Sequence, residues 1–319
     1  MSINVWPGFA YDSLFDEAEL SHEDNAIFEA LGTQNFEVVL ERLDSTIRIM
    51  EATGDDAGAY PQRRRSIAEA LGKAVLGVHV PRSSLPDETL ERLRLALRQH
   101  RWVFSTSYDL LTYYAAAVND FFGFVDFFWN PDGAFDEATI TLGPDDRPTR
   151  LLFLHGAVHL VVLGDGRTCK RKQTFLTLLD QFGHPHAGDA RARPLMITEG
   201  LSGQKAAAIA ANDYLSYASR MLRDCNSPLV VFGHSLSDQD QHLIDAINAN
   251  VGRPVAISLT DQGRRNNRQR QYEIRARLES LTVYFFDAAT HPFGSKDLRV
   301  PGASRWQFLR AARRVVGAA

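Results

Sequence analysis

The sequence predicts an α/β protein in which a mostly parallel, doubly wound sheet has helices on both faces and follows a helical N-terminal portion. Two observations support this fold class. In the second half of the chain, short apolar runs alternate with amphipathic stretches, the pattern of strands joined by crossover helices. In the first hundred residues, apolar side chains instead recur at three- and four-residue steps, which indicates helices.

The N-terminal portion, residues 1–101, is expected to be mainly helical and to pack on the core. Its clearest helix has one apolar face, formed by Phe36, Val39, Leu40, Leu43, Ile47 and Met50. A loop rich in Gly and Asp separates this helix from a second one over 62–77. Pro86 and the acidic residues after it then open a helix that ends near Arg101.

The core is predicted to span residues 102–290, with the C-terminal helix in 291–319 and one compact domain overall. Predicted strands are 102–106, 151–163 with a bend at Gly156, 194–198, 228–232, 254–259 and 281–286. Predicted helices are 109–119, 203–223, 238–250, 265–279 and 304–316. Residues 121–129 fit either a strand or a buried loop. Because 228–232 has few polar residues, we expect it to be buried on both faces.

Composition argues against several classes of protein. The net charge of −4 speaks against nucleic acid as the main partner. Cys169 and Cys225 lack metal-ligand spacing and fit free thiols in a cytoplasmic protein. We see neither a secretion signal nor an apolar run of membrane-spanning length. The basic run 167–172 is typical of a solvated hairpin tip.

The two ends of the chain differ in charge. Residues 1–60 carry an excess of acidic side chains, whereas residues 261–319 carry an excess of basic ones. This pattern fits solvated helix faces, or an attraction between the ends within or between subunits.

Three apolar runs break into small and polar residues, which is how buried strands deliver functional turns. They are 104–109, 154–159 and 231–240. In an open α/β fold such endings meet along one edge of the sheet, where ligands bind. The pattern therefore predicts a nucleotide site at this edge.

The same segments resemble the SIR2-like families of bacteria, in particular the DUF4917-type branch, over roughly residues 9–290. They read Thr106-Ser107-Tyr108-Asp109, Leu154-His155-Gly156-Ala157-Val158-His159, Glu199-Gly200-Leu201-Ser202-Gly203-Gln204-Lys205 and Phe232-Gly233-His234-Ser235-Leu236-Ser237-Asp238-Gln239-Asp240. The resemblance implies a Rossmann-like fold that binds NAD and no metal. Through related anti-phage defence effectors, it implies cleavage of NAD to nicotinamide and ADP-ribose.

The resemblance also implies site residues. Ser107 stands where the family has its catalytic Asn, and His155 stands where it has its catalytic His. Residues expected to bind NAD are Thr106, Asp109, Gly156, Glu199, Ser202, Gly233, His234, Ser235, Asp238 and Asp240. Because nicotinamide needs no acid to leave, the protein must hold the ribose and admit one nucleophile, and His155 can orient a ribose hydroxyl or take its proton.

Two departures from the family pattern open an alternative. Ser107 offers one short hydroxyl in place of an amide, and the family's opening strand and Gly-rich phosphate loop find no counterpart before Tyr11. Two functions are therefore expected. The chain is either an NAD glycohydrolase, in which Ser107 in place of Asn could weaken or abolish the activity, or a non-catalytic nucleotide-binding or scaffold subunit that acts through a partner. In both cases we expect a homo-oligomer or a hetero-complex with a defence partner.

Each candidate residue also has a purely structural interpretation. His155, His159 and His234 could be hydrogen-bonded core histidines. Asp109, Ser202, Ser235 and Ser237 could be helix caps, Asp238 and Asp240 could favour a helix N-terminus, and Lys205 could be a solvated first-turn residue. P-loop, zinc and Gly-x-Ser-x-Gly hydrolase motifs are absent from the sequence.

Overall fold

The three-dimensional structure is a computed structural model. It describes residues 11–80, 82–138, 147–172, 178, 181, 186, 188–189, 191–197, 202–260 and 264–298. The predicted C-terminal helix over 304–316 lies outside these residues.

The N-terminal portion is helical, as predicted. Its helices are α1 (Tyr11–Glu17), α2 (His22–Leu31), α3 (Phe36–Thr53), α4 (Tyr60–Val78) and α5 (Asp87–Leu97). The predicted apolar face of α3 is confirmed, because Phe36, Val39, Leu40 and Leu43 are all buried. Rings from α1, α2 and α3 pack together, with the centroid of Phe28 lying 5.1 Å from that of Phe15 and 4.9 Å from that of Phe36.

Two three-stranded parallel sheets form the α/β part of the fold. The first has the order β1 (Trp102–Ser105), β3 (Thr149–Phe153), β2 (Phe124–Val125), and the second β7 (Leu229–Val231), β8 (Pro254–Leu259), β9 (Thr282–Asp287). Helices α6 (Leu111–Ala117), α9 (Gln241–Asn248) and α10 (Arg264–Arg277) connect these strands. The predicted α/β class with parallel strands is thus confirmed, although the parallel strands form two sheets.

A third sheet is antiparallel and is built around β4 (Gly156–Val162), which pairs with β5 (Thr168–Lys170) and β6 (Arg193–Met196). The predicted bend at Gly156 is where the chain leaves β3 and enters β4, with a φ of 78°. One large cluster of buried apolar side chains includes Phe28 of α2 and Val283 of β9. The helical portion and the sheets therefore share a core, while the predicted domain boundaries stay predictions.

Three local predictions are wrong. The single helix over 203–223 is two helices, α7 (Ser202–Ala210) and α8 (Asp213–Asp224), because the Asn212 side chain caps α8 by accepting from the Leu215 amide. Strand β7 is not buried on both faces, since Val230 is 40% exposed. The basic run is not a solvated tip, since Lys170 and Arg171 are buried.

Among the described residues, no helix combines the length and the apolar composition that a membrane crossing requires. Both cysteines are free thiols, as predicted, with Cys169 buried and Cys225 half-buried.

Candidate functional site

The loop after β1 carries Ser107 and Asp109 and is held by its own hydrogen bonds. The Ser107 amide donates to Ser105 Oγ at 3.2 Å, and the Ser107 hydroxyl donates to Asp109 Oδ2. The other Asp109 oxygen accepts from the Leu111 amide at 2.7 Å, a local turn just before α6, whose N-cap residue is Leu110. Asp109 is 3% exposed. Its carboxylate therefore fixes both the Ser107 hydroxyl and the first amide of α6.

Tyr108 ties this loop to the antiparallel sheet. Its hydroxyl donates to the Ile197 carbonyl, and its own carbonyl accepts from the Val158 amide of β4 at 3.2 Å. The Ile197 amide in turn donates to the His155 carbonyl at 2.8 Å. Residues 107 and 155 are thus positioned by one connected set of backbone contacts.

Strand packing explains why position 156 is a glycine. A Cβ added to it would lie 2.0 Å from the Leu195 carbonyl oxygen of β6, and its positive φ favours glycine. The expected role of Gly156 in NAD binding therefore has a structural alternative, because the backbone of β6 occupies the space beside its Cα.

His155 and His242 meet at the carboxyl ends of β3 and β7. Their Nε2 atoms are 2.9 Å apart. One ring must therefore carry its proton on Nε2 and donate to the other. His155 is 4% exposed, and burial lowers its pKa to about 3 and that of His242 to about 4. Both rings are consequently neutral at pH 7, and an imidazole with a pKa this low is a weak base.

Asp240 lies at the centre of the charged groups around these histidines. One of its oxygens is 3.6 Å from Lys205 Nζ, and the other is 3.5 Å from His234 Nε2. Burial acts to raise the pKa of Asp240, but His234 and Lys205 outweigh it and lower the pKa. We call His155, Lys205, His234, Asp240 and His242 the tip cluster.

His234 joins the tip cluster to the loop after β1. Its Nδ1 accepts from the Leu236 amide at 2.9 Å, which fixes the ring, and burial lowers its pKa. His234 lines a cavity of about 250 Å³ together with Thr106, Ser107 and Asp109. The structure therefore brings the ends of β1 and β7 to one cavity, which Leu154 at the end of β3 also lines. His155, Asp240 and His242 are not among the lining residues.

The remaining predicted residues lie elsewhere or are not described. The Gly233 amide donates to Ser258 Oγ at 2.9 Å, and Ser235 is exposed, with its carbonyl accepting from Arg270. Asp238 faces solvent and pairs with Arg277 at 2.6 Å. Glu199 lies outside the described residues, and for Ser202 only its backbone position at the start of α7 is described.

Sequence reasoning missed two members of the tip cluster. Lys205 is 1% exposed, so its interpretation as a solvated residue is wrong. His242 is not among the site residues predicted from the sequence. Its position two residues after Asp240, at the start of α9, nevertheless places it near the end of β7. His159 is 1% exposed and packs on the ring of Tyr113 at 4.4 Å, so it is a core histidine as predicted. The predicted hydrogen bond is not found for its Nδ1, which is buried without a partner among the described residues.

A divalent metal could use part of this cluster. His155, Asp240 and His242 offer ligand atoms that all lie within 4.8 Å of one another. However, the buried ammonium of Lys205 already lies beside Asp240 and would repel a second cation there. The predicted absence of a metal stays a prediction.

These features define an α/β protein with a buried, histidine-rich site where its parallel strands end. A comparison with known protein families then shows the family to which the chain belongs. The family described as "Domain of unknown function (DUF4917)" matches residues 1–293, so the chain belongs to this family. No curated protein matches the sequence.

Proposed function

We propose that this protein binds NAD at the carboxyl ends of β1, β3 and β7 and cleaves it to nicotinamide and ADP-ribose. The observation that supports this most is the tip cluster, in which the neutral, buried His155 lies beside Asp240 and His242. His234 of the same cluster lines a cavity together with Ser107 and Asp109. A perturbed histidine at a strand end next to a cavity is a typical functional site.

The chemistry needs few groups. Water adds its oxygen to ribose C1′, the C1′–N bond breaks with its electron pair going to nicotinamide, and one proton is released. Neutral His155 is suited to orient a ribose hydroxyl through a hydrogen bond, and the released proton passes to solvent. The Asp109 carboxylate, which the Ser107 hydroxyl fixes, is suited to stabilise the positive charge that develops on the ribose.

The size of the cavity limits what it encloses. Pockets that hold drug-sized ligands measure about 300–1,000 Å³. At about 250 Å³, this cavity would enclose only part of a dinucleotide, so the rest of NAD would lie along the exposed loop at Ser235.

The first test is nicotinamide release from NAD by the purified protein, followed by chromatography. We expect turnover that falls at least about 100-fold in His155→Ala, because a ribose that is no longer held in its reactive orientation can lose that much rate. His22→Ala, which removes an exposed histidine of α2, is the matched control and should keep full activity. Equal rates for the two variants would contradict the role of His155.

A second candidate function is a non-catalytic nucleotide-binding subunit that acts through a partner. The hydrogen bond from Ser107 to Asp109 favours it, because a hydroxyl that is already donated cannot also donate to a ribose or a water. This alternative predicts NAD or ADP-ribose binding in calorimetry without nicotinamide release. Restoration of release by Ser107→Asn would assign the inactivity to that position.

Bacterial anti-phage defence, a cytoplasmic location and assembly into a homo-oligomer or a hetero-complex belong to the same proposal. Their support is the NAD-cleaving chemistry, which a cell must restrain until infection. Light scattering of the purified protein at low and high salt tests the assembly.

A further inference from the structure

Helices α2 and α10 carry opposite charges. Residues 11–31, which include α1 and α2, have seven acidic side chains and no lysine or arginine, whereas α10 has six arginines and one glutamate. Such a difference fits an attraction within one subunit or between two subunits. The exposure of these side chains distinguishes the two cases, because an attraction within one subunit would cover them.

The outer face of α10 is basic and aromatic. Arg268, Tyr272 and Arg275 recur at steps of four and three residues, which places them on one face of the helix, and all three are exposed. Tyr272 is 72% exposed. The Arg275 guanidinium lies 5.0 Å from the centroid of the Phe285 ring, which restrains this side chain before any partner binds. We call Arg268, Tyr272 and Arg275 the basic stripe.

One face of α2 is acidic and has small side chains between its charges. Glu23, Ala26, Glu29 and Ala30 are exposed and follow one another at three- and four-residue steps. Glu23 Oε2 is 3.6 Å from Arg63 Nη1, but the Glu23 side chain stays 61% exposed, so a second cation can still reach its carboxylate. We call Glu23, Ala26, Glu29 and Ala30 the acidic stripe.

The two stripes match in spacing. At about 1.5 Å per residue, Glu23 and Glu29 lie about 9 Å apart along α2, and Arg268 and Arg275 lie about 10 Å apart along α10. Two arginines can therefore face two glutamates, while the ring of Tyr272 packs on the alanines between them. Because both stripes are exposed, they do not cover each other within one subunit.

We propose that the basic stripe of α10 binds the acidic stripe of α2 in a second copy of this chain. Exposed ion pairs contribute little singly and are screened by salt, so the contact is weak, reversible and salt-sensitive. Each copy carries both stripes, so the contact repeats around a closed ring or occurs twice in a two-fold dimer. This proposal names the surfaces for the assembly that the proposed function includes, and it does not depend on NAD cleavage.

The contact lies on a helix that holds part of the tip cluster. On the inner face of α10, Arg270 and Arg277 donate to the carbonyls of Ser235 and Leu236 in the loop after β7. The Leu236 amide donates in turn to His234 Nδ1. A second copy that binds the outer face of α10 therefore restrains the helix that positions His234. The contact thus links assembly to the site.

Light scattering of the purified full chain tests the proposal by charge reversal. We expect a mass that rises with protein concentration at about 0.05 M salt and falls to that of a monomer at about 0.5 M salt. Arg268→Glu/Arg275→Glu and Glu23→Arg/Glu29→Arg should each weaken association at least about 100-fold, because like charges then face each other. An equimolar mixture of the two variants should associate again, since each supplies the charges that complement the other.

Two further variants separate this contact from other effects. Arg48→Glu/Arg223→Glu makes the same change in net charge at exposed arginines of α3 and α8, and it should leave association unchanged. Tyr272→Ala changes no charge and should weaken association at least about 10-fold. Urea midpoints close to that of the unmodified protein verify that each variant is folded.

Several results would overturn the proposal. These are a monomer at every concentration at low salt, unchanged association in either reversed variant, and a mixture that stays monomeric. A mass increase that is lost on nuclease treatment would also overturn it, because the basic stripe would then bind nucleic acid. If Glu23→Arg/Glu29→Arg does not fold, unchanged association in Tyr272→Ala and Arg268→Glu/Arg275→Glu decides against the contact. Nicotinamide release is measured separately, so failure of this contact and failure of NAD cleavage are distinguishable.

Discussion

Two buried lysines, Lys170 and Lys205, each lie beside an aspartate, but their surroundings differ. Lys170 Nζ is 2.5 Å from Asp126 and lies near the faces of three aromatic rings, closest to Phe121 at 4.7 Å. Lys205 Nζ is 3.6 Å from Asp240, which also faces three histidines and adjoins a cavity through His234. The first pair is closely packed and satisfied, as in a structural site. The second pair is longer, and its aspartate also faces three histidines, one of which lines the cavity, as in a functional site.

The largest effect on stability should come from Asp126→Asn. It leaves the Lys170 ammonium buried without its counter-ion, and breaking such a pair typically costs about 3–5 kcal/mol in the free energy of unfolding. Urea denaturation measures this. The double variant Asp126→Leu/Lys170→Met removes both charges and should recover most of the loss, and a loss below about 1 kcal/mol in Asp126→Asn would contradict the structural role.

Asp240→Asn should destabilise less, by about 2 kcal/mol, because the ion pair is longer. NAD cleavage should nevertheless fall more in Asp240→Asn than in Asp126→Asn, since only Asp240 lies beside His155 and His242. The two variants, compared for urea midpoint and for nicotinamide release, should rank in opposite orders. The same order in both assays would remove the distinction between the sites.

Acid should destabilise the folded protein through the buried, neutral His155 of the tip cluster. The folded-state pKa of His155 is about 3, below the ordinary histidine value near 6.5. As pH falls below about 6.5, His155 becomes protonated in the unfolded chain but stays neutral in the folded protein. The free energy of unfolding therefore falls by up to about 1.4 kcal/mol per pH unit. Urea midpoints from pH 7 to pH 5 measure the slope. His155→Gln should reduce the proton uptake on unfolding by about one, and an unchanged slope would contradict the burial of a neutral His155.

The smallest effect should come from Glu137→Gln. Its partner Arg220 lies at 2.5 Å, the same distance as in the Lys170–Asp126 pair, but the two side chains are 53% and 58% exposed. Exposed ion pairs contribute about 0–1 kcal/mol, so we expect a loss of at most about 0.5 kcal/mol in the same urea assay. A loss close to that of Asp126→Asn would show that the distance between the charges, and not their burial, determines how much an ion pair contributes to stability.

Much of the fold follows from local sequence. The apolar face from Phe36 to Leu43 and the strands over 254–259 and 281–286 were predicted from periodicity alone, because burial repeats at the period of the element. The break between α7 and α8 could also have been predicted from the sequence, because Asn212 followed by Asp213 is typical of the start of a helix.

The tip cluster could be predicted only in part. His155, His234 and Asp240 stand at strand endings, and the fold class brings such endings together. The burial of Lys170 and Lys205 could not be predicted, because each is compensated by an aspartate that is distant in sequence. Local composition indicates that a lysine is charged but not where its counter-ion lies. Whether the cluster cleaves NAD stays a proposal.

The tight turn at Gly156 has a consequence for genetic screens. An alanine there would push the Leu195 carbonyl away and shift β6, which ends next to Ile197, the residue that holds both the Tyr108 hydroxyl and the His155 backbone. Random mutagenesis should therefore recover inactive alleles at position 156 as readily as at position 155, although a glycine contributes no reactive group of its own.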